Sequence, residues 1–364
     1  MNRLQIRAVP LFCVFALAVG IKNHVIVVPL ILQAAKRDAW ISALIAIPLV
    51  VVWTLAVYLV LKYTHRESLY RWFKSRYNGV AAILVLLPFL ALLAMVLYIT
   101  IRDVSSWTKV TYLPKTPIAV TVSLFVFASL AGALGGLRSI VIASGVLLPG
   151  VILLGLFVMS VNFQFKDYSY LLPMMSGGYR PVLKGMMYVL AGMTEMILVL
   201  CLKPYIADTF KWWPFLLIVL CITGLVFGPL LSSIVIFGPY EAADQRYPAF
   251  EQWRMVLIGK FISHLDFLSI YQWLSGALVR ISITMFLLFD LVGLANHRLK
   301  WLWMGLLGVV LAYSVAGIHI SDPTFFEWLA DLYYPVAFTV FYALPFVLLL
   351  FIYPKRRKRV HDPS

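Results

Sequence analysis

"FALAVGIKNHVIVVPLIL", residues 15–32, decides how the rest of the chain is read. Its flanks are continuous apolar runs, yet its centre carries Gly20, Lys22, Asn23 and His24. About 20 apolar residues in succession make a helix that crosses a bilayer. A charge at mid-bilayer costs at least about 2.5–3.5 kcal/mol on insertion scales, so Lys22 is expected to face protein, water or a ligand.

The whole chain agrees with that reading. Of 364 residues, 63% are hydrophobic and only 12% charged, and the mean hydropathy is +0.94. A soluble protein of this size could not hide so much apolar surface, so the class is an all-α polytopic membrane protein. Helices are preferred to a β-barrel because the apolar runs do not alternate every second residue. Cys13, Cys201 and Cys221 fall inside apolar runs without paired or metal-like spacing, and read as packing residues. Residues 1–10 lack the small-residue cleavage site of a secretory signal, so the first run is expected to be retained. The net charge of +15 does not point to nucleic acid. The basic residues sit mostly in short loops and in the tail "YPKRRKRVHDPS", where they orient a membrane protein and touch anionic headgroups.

Ten transmembrane helices are expected, near 8–32, 39–62, 79–101, 117–136, 138–161, 186–208, 213–237, 261–290, 301–318 and 333–353. An even number places both termini on one side. The loop "KYTHRESLYRWFKSRYN" and the C-terminal cluster make that side the more basic one. The loop "HISDPTFFEWLAD", on the other side, carries Asp322, Glu327 and Asp331 and no Lys or Arg. Both termini are therefore expected in the cytoplasm. Residues 1–364 form a single membrane domain with two five-helix halves, 1–161 and 186–353, and a basic cytoplasmic tail at 354–364. With five helices each, the halves start from opposite sides, the parity that a five-plus-five inverted repeat requires. No residue-level similarity between the halves supports the repeat.

Under that pairing the first and sixth spans are equivalents. The first is interrupted by "AVGIKNH", the sixth by Gly192, Thr194 and Glu195. Gly weakens a helix interior by about 1 kcal/mol relative to Ala, and polar neighbours partner backbone groups released by local unwinding. Interrupted segments at matching places in two halves point to a midplane ligand site. The candidate ligand-binding set is Gly20, Lys22, Asn23, His24, Gly192, Thr194 and Glu195. The alternative for Lys22 is a structural ion pair with Glu195. Asp266 and Arg280, both assigned to the eighth span, are further candidates for coupling or structural pairs. Fourteen residues apart, about 21 Å along a helix, they cannot meet, so each needs a partner on another helix. Lys203, Asp208 and Asp290 lie near cytoplasmic ends, where long side chains reach the interface. No phosphate-binding glycine loop, HExxH or Cys/His metal spacing occurs, so no catalytic residue, metal or cofactor is expected and the chain does not read as an enzyme.

At "DYSYLLPMMSGGYRPVLKGMMYVLAGMTEMILVLCLKPYI" (167–206) the chain resembles the spore germination permease family, the B subunits of GerA-type nutrient germinant receptors. "YPAFEQWRMVLIGKFISHLDFLSIYQWLSGALVRISI" (247–283) is similar to the family's loop and eighth span, and "AAKRDAWIS" (34–42) to its link into the second. The resemblance places the chain in the amino acid–polyamine–organocation superfamily and implies a LeuT-like fold. It further implies the spore inner membrane, an A subunit and a C-subunit lipoprotein as partners, and a small nutrient, amino acid or sugar, as ligand. The charged "KNH" after Gly20 and the acid-free "VIASGVLLP" (141–149) depart from the family's pattern. Three roles follow as expectations: a germinant-sensing receptor subunit, a proton- or cation-coupled amino acid transporter, and a germinant-gated ion-conducting component.

Overall fold

A computed structural model describes residues 5–64, 67–207, 211–259, 262–295, 297–318 and 320–360, with side chains up to Tyr353. Asp208 and residues 361–364 of the basic tail lie outside the described residues. Among the described residues the regular structure is helical, with isolated bridges only at Ile6–Ile206 and Ile258–Ile262. Eight runs are long and apolar enough to cross a membrane: Ala8–Tyr63, Gly79–Thr111, Gly136–Phe165, Tyr179–Leu200, Trp212–Phe237, Leu265–Leu291, Lys300–Gly317 and Asp322–Tyr353.

The first run has 56 residues, roughly 84 Å if straight against an apolar slab of about 30 Å. It turns at Lys36, whose φ is 47°, giving segments 8–35 and Ala39–Tyr63. Ile118–Leu134 is apolar but only 17 residues long. Counting both, ten helical segments follow one another, called helices 1 to 10 below, with Ile118–Leu134 as helix 4. Pro48, Pro88, Pro149 and Pro229 sit inside the continuous α-helices of helices 2, 3, 5 and 7. Each removes a helical N–H and bends its helix.

Several boundaries differ from the sequence reading. Helix 3 continues past residue 101 to Thr111 and so carries Arg102 and Asp103 inside it. It can do so because both side chains find polar partners, described below. Helix 6 begins at Tyr179 and helix 10 at Asp322. The α-helical part of helix 8 starts only at Ser269, after a 3-10 turn over Leu265–Leu268 and a left-handed His264 at φ 61°. Asp266 therefore lies ahead of that α-helix, not in its outer half.

Helices 1, 6 and 8 are the most enclosed. Val27, Val28, Ile31, Met196, Ile197 and Ala277 are fully buried in one continuous core. A smaller cluster around Leu97, Val122, Ile281 and Met304 joins helices 3, 4, 8 and 9. On the outside, Phe127, Val146, Leu153, Val309 and Leu350 are each at least 60% exposed, the surface that hydrocarbon covers in a membrane protein. At one end, Ile6 bonds to Tyr205 and Ala207, so the entry of helix 1 is tied to the exit of helix 6. At the other end, the short helices Pro239–Asp244 and Pro248–Arg254 bridge helices 7 and 8.

Candidate functional site

Helix 1 does not unwind at its centre, as the sequence reading expected. It widens. Residues Asn23–Val27 form a π-helical turn between the α-helical Ala8–Lys22 and Val28–Ala35. Helix 6 tightens instead, changing from α to 3-10 winding over Thr194–Leu200. Short π segments inside α-helices cluster at functional sites, because they redirect side chains and free local backbone groups. Helix 10 carries two more, Leu329–Tyr333 and Phe338–Tyr342.

The altered stretches of helices 1 and 6 meet each other. A Cβ placed on Gly192 would stand 2.9 Å from Asn23 Oδ1 and 3.2 Å from a Val27 methyl carbon, so only glycine permits this approach. Close packing brings Lys22 Nζ to 2.7 Å from the Gly192 carbonyl and 2.9 Å from Glu195 Oε1. Arg280, from helix 8, grips the same carboxylate through both terminal nitrogens: Nη1 to Oε2 at 2.7 Å and Nη2 to Oε1 at 2.9 Å. Its Nε donates to Thr100 Oγ1 of helix 3 (2.7 Å), and Nη1 donates to the Ala18 carbonyl of helix 1 (2.6 Å). One carboxylate and one guanidinium thus tie helices 1, 3, 6 and 8 together. The fork of Arg suits this role, since it satisfies two acceptors on one side and others on its flank.

The charges do not balance. Lys22, Glu195 and Arg280 are each 2% exposed, and two cations face one anion. The Tyr334 ring lies 5.9 Å from Lys22 Nζ and supplies its π-face to the ammonium. Asn23 adds an unmet need: its Nδ2 donates to Met193 Sδ at 3.5 Å, while its Oδ1 is buried without a donor. The centre therefore holds two cations on one carboxylate, beside an unpaired acceptor.

The other sequence candidates distribute as follows. Thr194 turns inward and donates to the Ala191 carbonyl (2.7 Å). Gly20 and His24 lie on a different flank of helix 1, with His24 Nδ1 3.0 Å from the Gly20 carbonyl. Asp266 joins no ion pair among the described residues; its backbone carbonyl accepts from the Tyr112 hydroxyl (2.9 Å). Among the described residues no cluster of His, Cys, Asp and Glu is arranged to hold a metal.

Sequence reading missed a second charged group, which closes the hairpin end. Arg246, between the two short helices, donates to Asp103 Oδ1 (2.6 Å) and reaches Asp322 Oδ2 (3.2 Å). Arg102 stands 3.5 Å from Asp322 Oδ1 and donates to the Ile320 carbonyl (2.8 Å) and to the Ser106 hydroxyl. Burial works against the Arg246 charge, but Asp103, with Tyr247 and Asp322, holds its proton more tightly than in an ordinary guanidinium. The stacked rings of Trp107 and Trp273, 4.5 Å apart, reinforce the same closure. The sequence signal was the adjacent pair "RD" inside "LYITIRDVSSW", two opposite charges extending an apolar run.

The opposite end is open. A cleft of about 1320 Å³ is lined there by Arg71, Lys74, Arg138, Asp290 and Lys300 among others. Its deepest lining on helix 8 is Phe286, six residues or roughly 9 Å along the helix from Arg280. Asp290, in that lining, accepts from the Tyr205 hydroxyl (2.7 Å).

Comparison with known proteins adds to this geometry. Residues 6–316 match the sequence model of a family described as "Spore germination protein". The chain is 37% identical over 347 residues to spore germination protein XB of Bacillus anthracis, covering 93% of this chain and 95% of that protein. It is 24% identical over 280 residues to the putative spore germination protein YfkT of Bacillus subtilis (strain 168), covering 75% of this chain and 74% of that protein.

Proposed function

The chain belongs to the spore germination protein family, and from that premise we propose that it is the membrane-embedded B subunit of a nutrient germinant receptor. It is a multi-pass membrane protein. Within the proposal, the ten helical segments all cross the spore inner membrane, the termini lie in the cytoplasm, and A and C subunits read the state of the bundle. Helices 1 and 6 are then equivalents in a five-plus-five inverted repeat. The support is that both change winding at their centres and meet there.

The single observation that carries the reading is the buried triad with its unmatched charge. A nutrient carboxylate competes with Glu195 for Lys22 and Arg280, and its ammonium or hydroxyl supplies the donor that Asn23 Oδ1 lacks. Such a ligand favours a rearranged bundle only by its differential affinity for the two states. The nutrient class that fits is an amino acid or another small polar molecule with a carboxylate. The test is the nutrient dose-response of spores carrying Glu195→Gln or Lys22→Ala at normal subunit levels. Unchanged half-maximal concentrations in both variants would reject the midplane site.

A second reading, a coupled transporter, has its own support: a cleft open at one end and an ion-paired closure at the other. Uptake of labelled nutrient by proteoliposomes containing this chain alone would establish it, and binding without flux would leave the receptor.

A further inference from the structure

A separate cavity of about 350 Å³ lies among helices 1, 5, 7 and 8, beneath the short helix Pro248–Arg254. Gly20, Ile21 and His24 of helix 1 line it, and Lys22 does not. No Asp, Glu, Lys or Arg contributes to its wall. Its mouth opens between helices 5 and 7, where Leu156, Met159 and Leu225 are exposed on the apolar flank of the bundle. Gly224 is exposed at this mouth, and a Cβ added to it would meet nothing within 4 Å.

The wall has hydrogen-bonding groups with capacity left. The Trp273 indole N–H is buried without an acceptor. The Gly20 carbonyl can only accept, so His24 Nδ1 carries the proton of their bond and Nε2 of the neutral ring is an acceptor. Gln252 Nε2 donates to the Pro229 carbonyl and Ser233, while Gln272 donates to the Val151 carbonyl and accepts from the Trp253 indole.

We propose that this cavity is a second ligand site, which takes an uncharged, mainly apolar small molecule bearing one hydroxyl-type group and entering from the bilayer. The absence of any fixed charge in the wall rejects ions and zwitterions. The lateral mouth admits what already partitions into hydrocarbon, and the Trp273 and His24 groups engage its single polar end. His24 and Val25 belong to both the cavity wall and the widened turn Asn23–Val27, and Gly20 and Ile21 of the wall run directly into Lys22, so occupancy bears on the nutrient centre.

The experiment uses the full-length chain in lipid nanodiscs and a 1-octanol analogue carrying a diazirine on its alkyl chain. After irradiation, adducts are mapped by peptide mass spectrometry. Adducts are expected to concentrate in 148–159 and 224–229, to be displaced by excess 1-octanol, and to resist octanoate. Gly224→Leu, which obstructs the mouth, should lower their yield at least about tenfold. Trp273→Phe, which keeps the stacked ring, should weaken displacement by 1-octanol about tenfold while leaving displacement by octane unchanged. Adducts spread evenly over all exposed apolar helices, or labelling that persists in Gly224→Leu, would overturn the proposal. So would labelling of the same positions by an acyl-chain diazirine phospholipid that 1-octanol fails to displace.

Discussion

Lys22 Nζ stands 2.9 Å from Glu195 Oε1, and both side chains are 2% exposed. Arg280 grips both oxygens of the same carboxylate, so among the described residues Glu195 is the one anion paired with these two buried cations. Removing one partner of a buried pair costs about 3–5 kcal/mol, because the remaining charge keeps its desolvation penalty. Glu195→Gln leaves two cations facing each other and should lower stability by about that amount. Lys22→Met leaves a neutral, bidentate Glu195–Arg280 pair and should cost far less. Thermal unfolding of the two purified variants in one detergent checks the order, and a larger loss for Lys22→Met would contradict the surplus-charge description.

Gly192→Ala tests the approach of helices 1 and 6. In an open helix the exchange would gain about 1 kcal/mol. Here the new Cβ meets Asn23 Oδ1 at 2.9 Å and Val27 methyl carbons at 3.2 and 3.3 Å, so a net loss of about 1–3 kcal/mol is expected from overpacking. Gly224→Ala, with open space around it, should be neutral or stabilising in the same thermal assay. Equal effects at the two positions would mean that the helices do not meet as described.

Asp103→Asn tests the closure at the hairpin end. It weakens a charge-assisted bond to Arg246 of the kind worth about 1.5–3 kcal/mol, leaving the hairpin held by Asp322 and the aromatic contacts. Hydrogen exchange over 239–254 should then speed up about tenfold or more, while exchange in the 194–200 stretch stays as it was. Unchanged protection of the hairpin would show that the aromatic contacts suffice.

Much of this was legible in the sequence, for reasons that particular residues make plain. Lys22 and Glu195 declared themselves because charge inside an apolar run is expensive, and their pairing was one of the two readings available. Arg280 declared its need for a partner but not which one, since nothing in sequence spacing brings helix 8 to helix 6. The π-helical turn at Asn23–Val27 was not legible, because the same residues fit ordinary α-helix and only packing selects the wider winding. Asp266 was placed inside a helix because "LDFLSIYQW" continues an apolar run, whereas a left-handed His264 and a 3-10 turn precede the true start. Arg102 and Asp103 were lost by ending helix 3 at the first charge, which is sound only when the charges lack partners. The lateral cavity is lined by glycines on four different helices, and no single stretch of sequence displays it.

In the proposed receptor, the Lys22–Glu195–Arg280 centre reads a nutrient carboxylate. Its most direct measurement is the half-maximal nutrient concentration for germination of spores carrying Lys22→Met, against a panel of amino acids and sugars. Losing one of the two cations should raise that concentration at least about tenfold for a carboxylate-bearing nutrient with subunit levels unchanged. The same concentration in wild-type and Lys22→Met spores, for every nutrient that germinates them, would contradict the account.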